Sequence, residues 1–319
     1  VTPDTALAKE AGLELGIKES IVVNDRMETS VPDIYAAGDA VQVKHYVTSN
    51  DTLISLAGPA NKQGRIIADN ICGGDSHYLG SQGSSVIKVF DMTAATTGIN
   101  ETNAKKSGLE VDTVILSPMS HAGYYPGGKV MTMKVVFEKE TYRLLGAQII
   151  GYEGVDKRID VLATAIHAGL KATQLKDLDL AYAPPYSSAK DPVNMAGFMI
   201  DNIAKGTLKQ WHLEDMDKIS KDKNAVLLDV RTVGEFSRGH INGFKNIPVD
   251  ELRERINEVE KGKPVYLICQ SGLRSYIASR ILEGNGYETY NFSGGFRFYD
   301  AVANDHALIE RSYACGMDY

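Results

Sequence analysis

The sequence has few cysteines and no long hydrophobic run. Its three cysteines, Cys72, Cys269 and Cys315, lie far apart and form no CxxC pair, which argues against a disulfide scaffold and a structural zinc site. No apolar stretch approaches the ~20 residues that a membrane helix needs. The first ten residues also lack the basic start and apolar core of a secretory signal. We therefore expect a cytoplasmic protein that has no membrane partner and binds no metal ion.

Positive charge is also scarce. The chain has 34 Lys and Arg against 41 Asp and Glu, a formal net charge of −7, which argues against a polyanion-binding surface and against nucleic acid as a partner. With 43% hydrophobic and 24% charged residues, the composition is that of a chain that folds around hydrophobic cores. Its 319 residues predict two or three domains.

Changes in residue pattern divide the chain into units. The chain opens at Val1 without an initiator methionine or a preceding strand, which we interpret as an internal start. A polar stretch around the lone Trp211 is interpreted as a linker. The predicted units are residues 1–75, 76–203 and 218–319, with 204–217 as the linker.

Each unit has its own periodicity. In the first, apolar residues recur at helical spacing over 53–71, and the run ends at two glycines. In the third, strands at 225–230 and 265–269 alternate with helical stretches, which predicts an α/β fold with a parallel sheet. The second shows four strands and a long helix, which predicts an α+β fold; these segments are 86–90, 111–116, 130–137, 144–150 and 155–168.

The sharpest chemical signal is Cys269, which follows the apolar strand 265–268 and precedes a helical stretch. At such a junction, free backbone N–H groups and the positive helix end favour the nucleophilic thiolate. Arg274 should add a positive charge to the rim. A buried structural cysteine at the end of a core strand is the alternative. The residues between Cys269 and Arg274 form the predicted binding loop, in which glycine allows the curl: Gln270, Ser271, Gly272 and Leu273.

The motifs around this loop resemble the rhodanese (sulfurtransferase) family. They are Asp229-Val230-Arg231, Glu235-Phe236, the segment 239–248, the cysteine loop and Gly294-Gly295-Phe296. The resemblance implies that Cys269 carries a persulfide whose outer sulfur lies among the loop amides. Four residues separate Cys269 from Arg274; phosphatases that share the fold have one more, so the spacing favours sulfur over phosphate. We expect Asp229 and Arg231 to brace the loop and His240 to be a turn residue.

The first unit resembles part of the pyridine nucleotide-disulfide reductases. On its residues alone, 34–39 could be any strand that ends in a glycine turn. With the segment 56–65, however, it resembles a second flavin-binding motif, which implies that Asp39 accepts hydrogen bonds from flavin hydroxyls and that Gly38 allows close approach. Leu56 and Ala57 begin a helix that would face the flavin ring. The chain contains no GxGxxG loop for FAD or NAD(P)H, so this remnant alone could not hold FAD.

The second unit resembles the interface domain of coenzyme A-disulfide reductases and of related NADH oxidases and persulfide reductases. The resembling segments are 120–127, 151–160 and 181–192, although each could instead be an aromatic turn fixed by proline. The resemblance implies a homodimer with a shared active site. Tyr124 and Tyr182 would face the redox cysteine, with Tyr182 near the flavin, and Asn61 and Lys190 would contact coenzyme A. Two further tyrosines are expected to pack rather than react, namely Tyr125 and Tyr186.

The order of these units resembles a coenzyme A-disulfide reductase fused to a rhodanese domain. This resemblance implies that NAD(P)H reduces FAD, which in turn serves the reduction of coenzyme A disulfide, persulfide or polysulfide, while Cys269 carries sulfane sulfur. Two alternatives stay open. One is an NADH oxidase or peroxidase-like flavoenzyme with an independent thiosulfate-type sulfurtransferase domain. The other is a rhodanese domain that only docks or regulates.

Overall fold

A computed structural model of the protein describes residues 2–303. Cys315, to which the sequence assigns no role, lies outside the described residues. Among residues 2–303, no helix is both long and apolar enough to cross a membrane.

The first unit is a small sheet with a helix beside it. Strand β1 runs parallel to β2, and β2 pairs antiparallel with β3. Its small core contains Met27, Val41 and Val43. The helix expected over 53–71 begins later, because Leu56 is still extended. The elements are α1 (Ala6–Glu10), β1 (Ile21–Val22), β2 (Val41–Lys44), β3 (Asp51–Thr52) and α2 (Ala57–Ile71).

The strand expected before Gly38 does not form. Only an isolated bridge joins Tyr35 to Glu28, and Gly38–Ala40 is a 3-10 helix. The reason is local, since Asp33 and Gly38 both have positive φ, 64° and 86°, and interrupt extended backbone on either side of the bridge.

The second unit is a five-stranded antiparallel sheet in the order β4-β5-β8-β7-β6, packed against helices. The predicted strands and the long helix are confirmed, whereas the Ala- and Thr-rich β5 was missed. Its largest core cluster includes β7, β8 and the buried faces of α4 and α5. The elements are β4 (Ser85–Val89), β5 (Met92–Gly98), α3 (Glu101–Lys106), β6 (Val111–Leu116), β7 (Thr132–Glu138), β8 (Leu144–Gly151), α4 (Val155–His167) and α5 (Pro192–Ala204).

The third unit is a five-stranded parallel sheet in the order β11-β10-β12-β13-β9. This confirms the predicted multidomain α/β and α+β fold class. The elements are β9 (Gln210–Trp211), α6 (Met216–Lys221), β10 (Val226–Asp229), α7 (Val233–Arg238), β11 (Lys245–Asn246), β12 (Val265–Ile268), α8 (Leu273–Glu283) and β13 (Thr289–Phe292), followed by a helix from 295 that continues through 303.

Part of the predicted linker belongs to this sheet. Gln210 and Trp211 form β9 and pair in parallel with β13. The Trp211 side chain is 2% exposed, lies 4.3 Å from the Phe292 ring between centroids, and donates from Nε1 to the Leu267 carbonyl at 3.2 Å. Burial of this large indole outweighs the polar character of its neighbours, so the interpretation of residues 210–211 as linker was wrong.

The third unit contacts β6, which is the outermost strand at one end of the antiparallel sheet. Gln210 Nε2 donates to the Thr113 carbonyl at 2.7 Å, and the Ile115 amide donates to Ser293 Oγ at 3.0 Å. His212 Nε2 lies 3.2 Å from Asp112 Oδ1. Gln210 and Ser293 thereby satisfy backbone groups that an edge strand would otherwise leave unpaired.

Candidate active site

Cys269 lies where β12 ends and the loop to α8 begins. Its side chain is 1% exposed, and its Sγ accepts from the Gly272 amide at 3.1 Å and from Ser275 Oγ at 3.2 Å. Gly272 has φ 101° at the start of α8, a left-handed conformation that aims its N–H back at the sulfur. Two hydrogen-bond donors, a backbone amide and a hydroxyl, are thus aimed at one sulfur. Ser275 was missed by sequence reasoning, although its place in the first turn of a helix after a cysteine loop was a usable signal.

The start of the helix at 295 holds the cysteine loop through two backbone hydrogen bonds. The Phe296 amide donates to the Cys269 carbonyl at 2.7 Å, and the Arg297 amide donates to the Gln270 carbonyl at 3.1 Å. A Cβ atom on Gly295 would lie 2.7 Å from Ser271 Cα. The close approach of the helix at 295 to the cysteine loop therefore requires glycine at position 295.

Arg231 braces the loop from the side, as the sequence predicts. Its guanidinium forms an ion pair with Asp229 at 2.7 Å, and both side chains are buried. The guanidinium carbon lies 3.7 Å from the Phe296 ring centroid, and Nη1 donates to Gln270 Oε1 at 3.5 Å. His240 lies at a turn, with its ring stacked on Phe236 at 4.0 Å between centroids.

Arg274, which the sequence predicts to add a positive charge to the rim, is paired with a carboxylate. It donates through Nη1 and Nη2 to the two carboxylate oxygens of Glu235, each at 2.7 Å. These bonds lower the pKa of Glu235 to about 2, and bonds from Thr232 act in the same direction. Glu235, which the sequence singles out only as part of a motif, balances the positive charge of Arg274. Leu273 extends its side chain into solvent.

Tyr124 and Tyr182 form a pair on the second unit. Their hydroxyl oxygens lie 2.9 Å apart, although the residues are 58 positions apart in sequence. Both side chains are exposed, Tyr124 by 77% and Tyr182 by 45%. The hydrogen bond with Tyr124 raises the pKa of the Tyr182 phenol above its ordinary value. The structure thus brings together two phenols that the sequence singled out separately.

The other two tyrosines behave differently from each other. Tyr125 packs edge-on against His121, with ring centroids 5.6 Å apart, as expected of a packing residue. Tyr186 is 72% exposed in this chain, and its expected packing stays a prediction.

Four of the five predicted flavin residues lie around α2, whereas Tyr182 lies in the second unit. The Gly38 amide donates to Gln63 Oε1 at 2.7 Å, which ties the Gly38–Ala40 turn to α2. Asp39 is exposed. Helix α2 begins after Leu56, at Ala57, with no side-chain cap and no acidic residue in its first turn. The Asp39 carboxylate can accept hydrogen bonds from the hydroxyl groups of a flavin nucleotide. The free backbone N–H groups at the uncapped start of α2 can donate to its oxygen atoms.

The two residues predicted to contact coenzyme A lie in different units. Asn61 is on α2, where its Nδ2 donates to the Ala57 carbonyl at 2.9 Å. Lys190 precedes α5, with its ammonium 6.0 Å from the Phe198 ring centroid. Among the described residues, no hydrogen bond joins Asn61 to Lys190.

Three family models match successive parts of the chain. The model described as pyridine nucleotide-disulphide oxidoreductase matches residues 1–64. The dimerisation domain of the same oxidoreductases matches 84–192, and the rhodanese-like domain matches 212–301.

Two solved structures resemble nearly the whole chain. One is reduced Bacillus anthracis CoADR-RHD, with 48% identity, 95% of this chain and 55% of that chain covered, and a TM-score of 0.92. The other is an NAD-dependent persulfide reductase from A. fulgidus, with 41% identity, 93% and 54% coverage, and a TM-score of 0.86.

A curated relative gives the same picture at lower coverage. An NAD(P)H sulfur oxidoreductase (CoA-dependent) from Pyrococcus abyssi is 38% identical over 193 residues, which cover 60% of this chain and 43% of the relative. The chain therefore spans less than half of that relative and little more than half of either solved chain.

Proposed function

We propose that the whole protein is an NAD(P)H-dependent flavoprotein. Two family models of the pyridine nucleotide-disulphide oxidoreductases match parts of this chain, and the rhodanese-like model matches a third part. The substrates of the whole protein would be coenzyme A disulfides, persulfides or polysulfides. Relatives named coenzyme A disulfide reductase and persulfide reductase support this substrate class. The protein would act as a cytoplasmic homodimer, in keeping with its dimerisation domain.

The surroundings of Cys269 carry the proposal. The buried sulfur, with donors from Gly272 and Ser275, suits a thiolate that attacks the outer sulfur of a persulfide. In that step the Cys269 sulfur bonds to the outer sulfur, the S–S bond of the donor breaks, and the donor leaves as its thiolate. The loop residues 270–273 and Arg274 would surround the new terminal sulfur of Cys269.

The tyrosine pair would serve the reductive site. Phenol hydroxyls can donate to a developing thiolate or persulfide, and the exposed positions of Tyr124 and Tyr182 leave them open to a partner subunit. Asn61 and Lys190 would bind coenzyme A, where the Lys190 ammonium suits its phosphates.

The proposed function requires FAD, and only a few residues of this chain would contact it. Bound FAD would supply the electron transfer between NAD(P)H and the sulfur substrate. The residues of this chain proposed to contact it are Gly38, Asp39, Leu56, Ala57 and Tyr182.

The test uses full-length protein with Cys269→Ser. Persulfide turnover should fall to background, because serine cannot carry sulfane sulfur, whereas NADH oxidation with a coenzyme A disulfide should stay within about twofold. The matched control is Cys72→Ser, which changes an exposed cysteine and should leave both rates unchanged. Undiminished persulfide turnover in Cys269→Ser would remove the role proposed for the loop.

A second candidate function is independent sulfur transfer from thiosulfate by the third unit. The observation that favours it is that, within residues 2–303, both hydrogen bonds to Cys269 Sγ come from the third unit itself. Transfer of sulfur from thiosulfate to cyanide by this chain, without flavin, would support it. The intact loop also favours chemistry over a purely docking role for this domain.

A further inference from the structure

An arginine lies on the buried face of α4. Arg158 is 1% exposed and is flanked at helical spacing by the buried Val155, Ile159 and Leu162. A guanidinium is almost never fully buried unless its charge is paired. Within the described residues Nε of Arg158 has no hydrogen-bond partner, and its contacts are made by Nη1 and Nη2. Arg158 lies in the segment 151–160, in which this residue was given no individual role, although an arginine within an apolar helix face was a usable signal.

The guanidinium of Arg158 joins the two loops that carry Tyr124 and Tyr182. Nη2 donates to the Ser120 carbonyl at 3.0 Å, four residues before Tyr124. The same nitrogen reaches the loop after Tyr182, where it lies 3.3 Å from the Tyr186 carbonyl and 3.0 Å from Ser187 Oγ. The loops otherwise meet through a backbone hydrogen bond of 3.1 Å between the Ala122 amide and the Ser187 carbonyl.

The charge of Arg158 is matched by one buried carboxylate. Asp191 Oδ2 lies 3.0 Å from Arg158 Nη2, accepts from Ser187 Oγ at 2.7 Å, and lies 3.7 Å from Lys157 Nζ. Burial opposes ionisation of Asp191, but the Val193 amide, Ser187 and Arg158 outweigh it and lower its pKa. Asp191 also caps α5, so the network fixes the end of the Tyr182 loop.

The backbone leaves room for this guanidinium. Gly154 has φ 69°, and a Cβ atom there would lie 2.1 Å from Arg158 Nη1. Nη1 instead donates to the Gly154 carbonyl at 3.1 Å. The planar, multi-donor fork of arginine can reach acceptors on three segments at once, which a lysine ammonium could not do in the same geometry.

We propose that Arg158 is a positioning residue that sets the distance between the Tyr124 and Tyr182 hydroxyl groups. It touches neither hydroxyl and acts through the backbone of the loops that carry them. The catalytic use of the tyrosine pair rests on the proposed function. The positioning of the two hydroxyl groups by Arg158 does not, because it is a property of this chain.

The test removes the guanidinium without leaving a buried charge unpaired. Arg158→Met is combined with Asp191→Asn, which keeps a helix-capping side chain. The chain is labelled with ¹³C at tyrosine Cζ, and the signals of Tyr124 and Tyr182 are assigned with the two Tyr→Phe variants. In the double variant, the titration midpoint of Tyr182 should fall to that seen in Tyr124→Phe, because the hydroxyl pair is lost.

Two further variants separate positioning from general damage. Leu162→Ala creates a cavity on the same helix and should lower stability while leaving the Tyr182 midpoint at the wild-type value. Gly154→Ala should displace Arg158 without changing any charge, and should shift the midpoint as the double variant does. A wild-type midpoint in both the double variant and Gly154→Ala would overturn the proposal. Because no turnover is measured, failure of the proposed function would not alter this result.

Discussion

Single residues decide the electrostatics of the cysteine loop. Glu235 accepts from both terminal nitrogens of Arg274, and Asp229 pairs with Arg231, so each of these two arginines is balanced by a carboxylate. The sulfur is then stabilised mainly by the Gly272 amide and the Ser275 hydroxyl. A loop organised in this way depends on oriented dipoles more than on free positive charge.

Glu235→Gln should remove a pH-dependent part of the stability. The pKa of Glu235 in the folded protein is lowered to about 2, so its contribution is present above its ordinary value near 4.5 and is lost as pH falls towards 2. At neutral pH the variant should lose about 1 kcal/mol. The difference in unfolding free energy from wild type, measured with urea, should shrink between pH 4.5 and 2.

The control for this prediction is Glu260→Gln, which removes an exposed ion pair with Lys263. It should show little difference from wild type across the same range. A Glu235→Gln difference that is constant with pH would contradict the assignment.

At the scale of elements, two close approaches shape the third unit. The helix at 295 contacts the cysteine loop through the Phe296 and Arg297 amides, and β9 closes the edge of the sheet through Trp211. Both contacts join segments that are distant in sequence. The first of them holds the cysteine loop against the helix at 295.

Gly295→Ala should disturb the loop more than an ordinary glycine substitution does. The new Cβ atom would meet Ser271 Cα at 2.7 Å, so either the loop or the helix at 295 must shift. The matched control is Gly286→Ala, which has a similar φ, 81° against 68°, but no atom within 4 Å of its Cβ. Gly295→Ala should lose about 1–3 kcal/mol more than the control.

Movement of the cysteine loop can also be followed by the rate at which iodoacetamide alkylates Cys269, measured by peptide mass spectrometry. This rate should change in Gly295→Ala and match wild type in Gly286→Ala. Equal stability and equal rates in the two variants would show that the close approach does not matter.

At the scale of the whole molecule, β6 couples the second and third units. Asp112 is half of the polar contact with His212, and Gln210 and Ser293 pair with backbone groups of the same strand. Burial opposes ionisation of Asp112, but hydrogen bonds from His212 and the Thr113 amide lower its pKa. These contacts join the third unit, which contains the cysteine loop, to the second unit, which contains the tyrosine pair.

Asp112→Ala should loosen this coupling. It leaves Gln210 Nε2 and His212 without one acceptor at a partly buried contact, which costs roughly 1–3 kcal/mol. We expect calorimetry to show broader or separate unfolding transitions of the two units, and faster hydrogen exchange at the Ile115 amide. Asp179→Ala, at an exposed aspartate of the same unit, is the control; identical traces for the two variants would contradict the coupling.

The sequence by itself determined the order of the units, the strand that ends at Cys269 and the glycine that curls the loop. These depend on short-range periodicity and on the φ preference of single residues. Only the tertiary structure decided that Glu235 neutralises Arg274, that Trp211 completes a sheet, and that the hydroxyls of Tyr124 and Tyr182 meet. Such contacts join residues tens of positions apart, and their geometry follows from how helices and sheets pack, which no local pattern encodes.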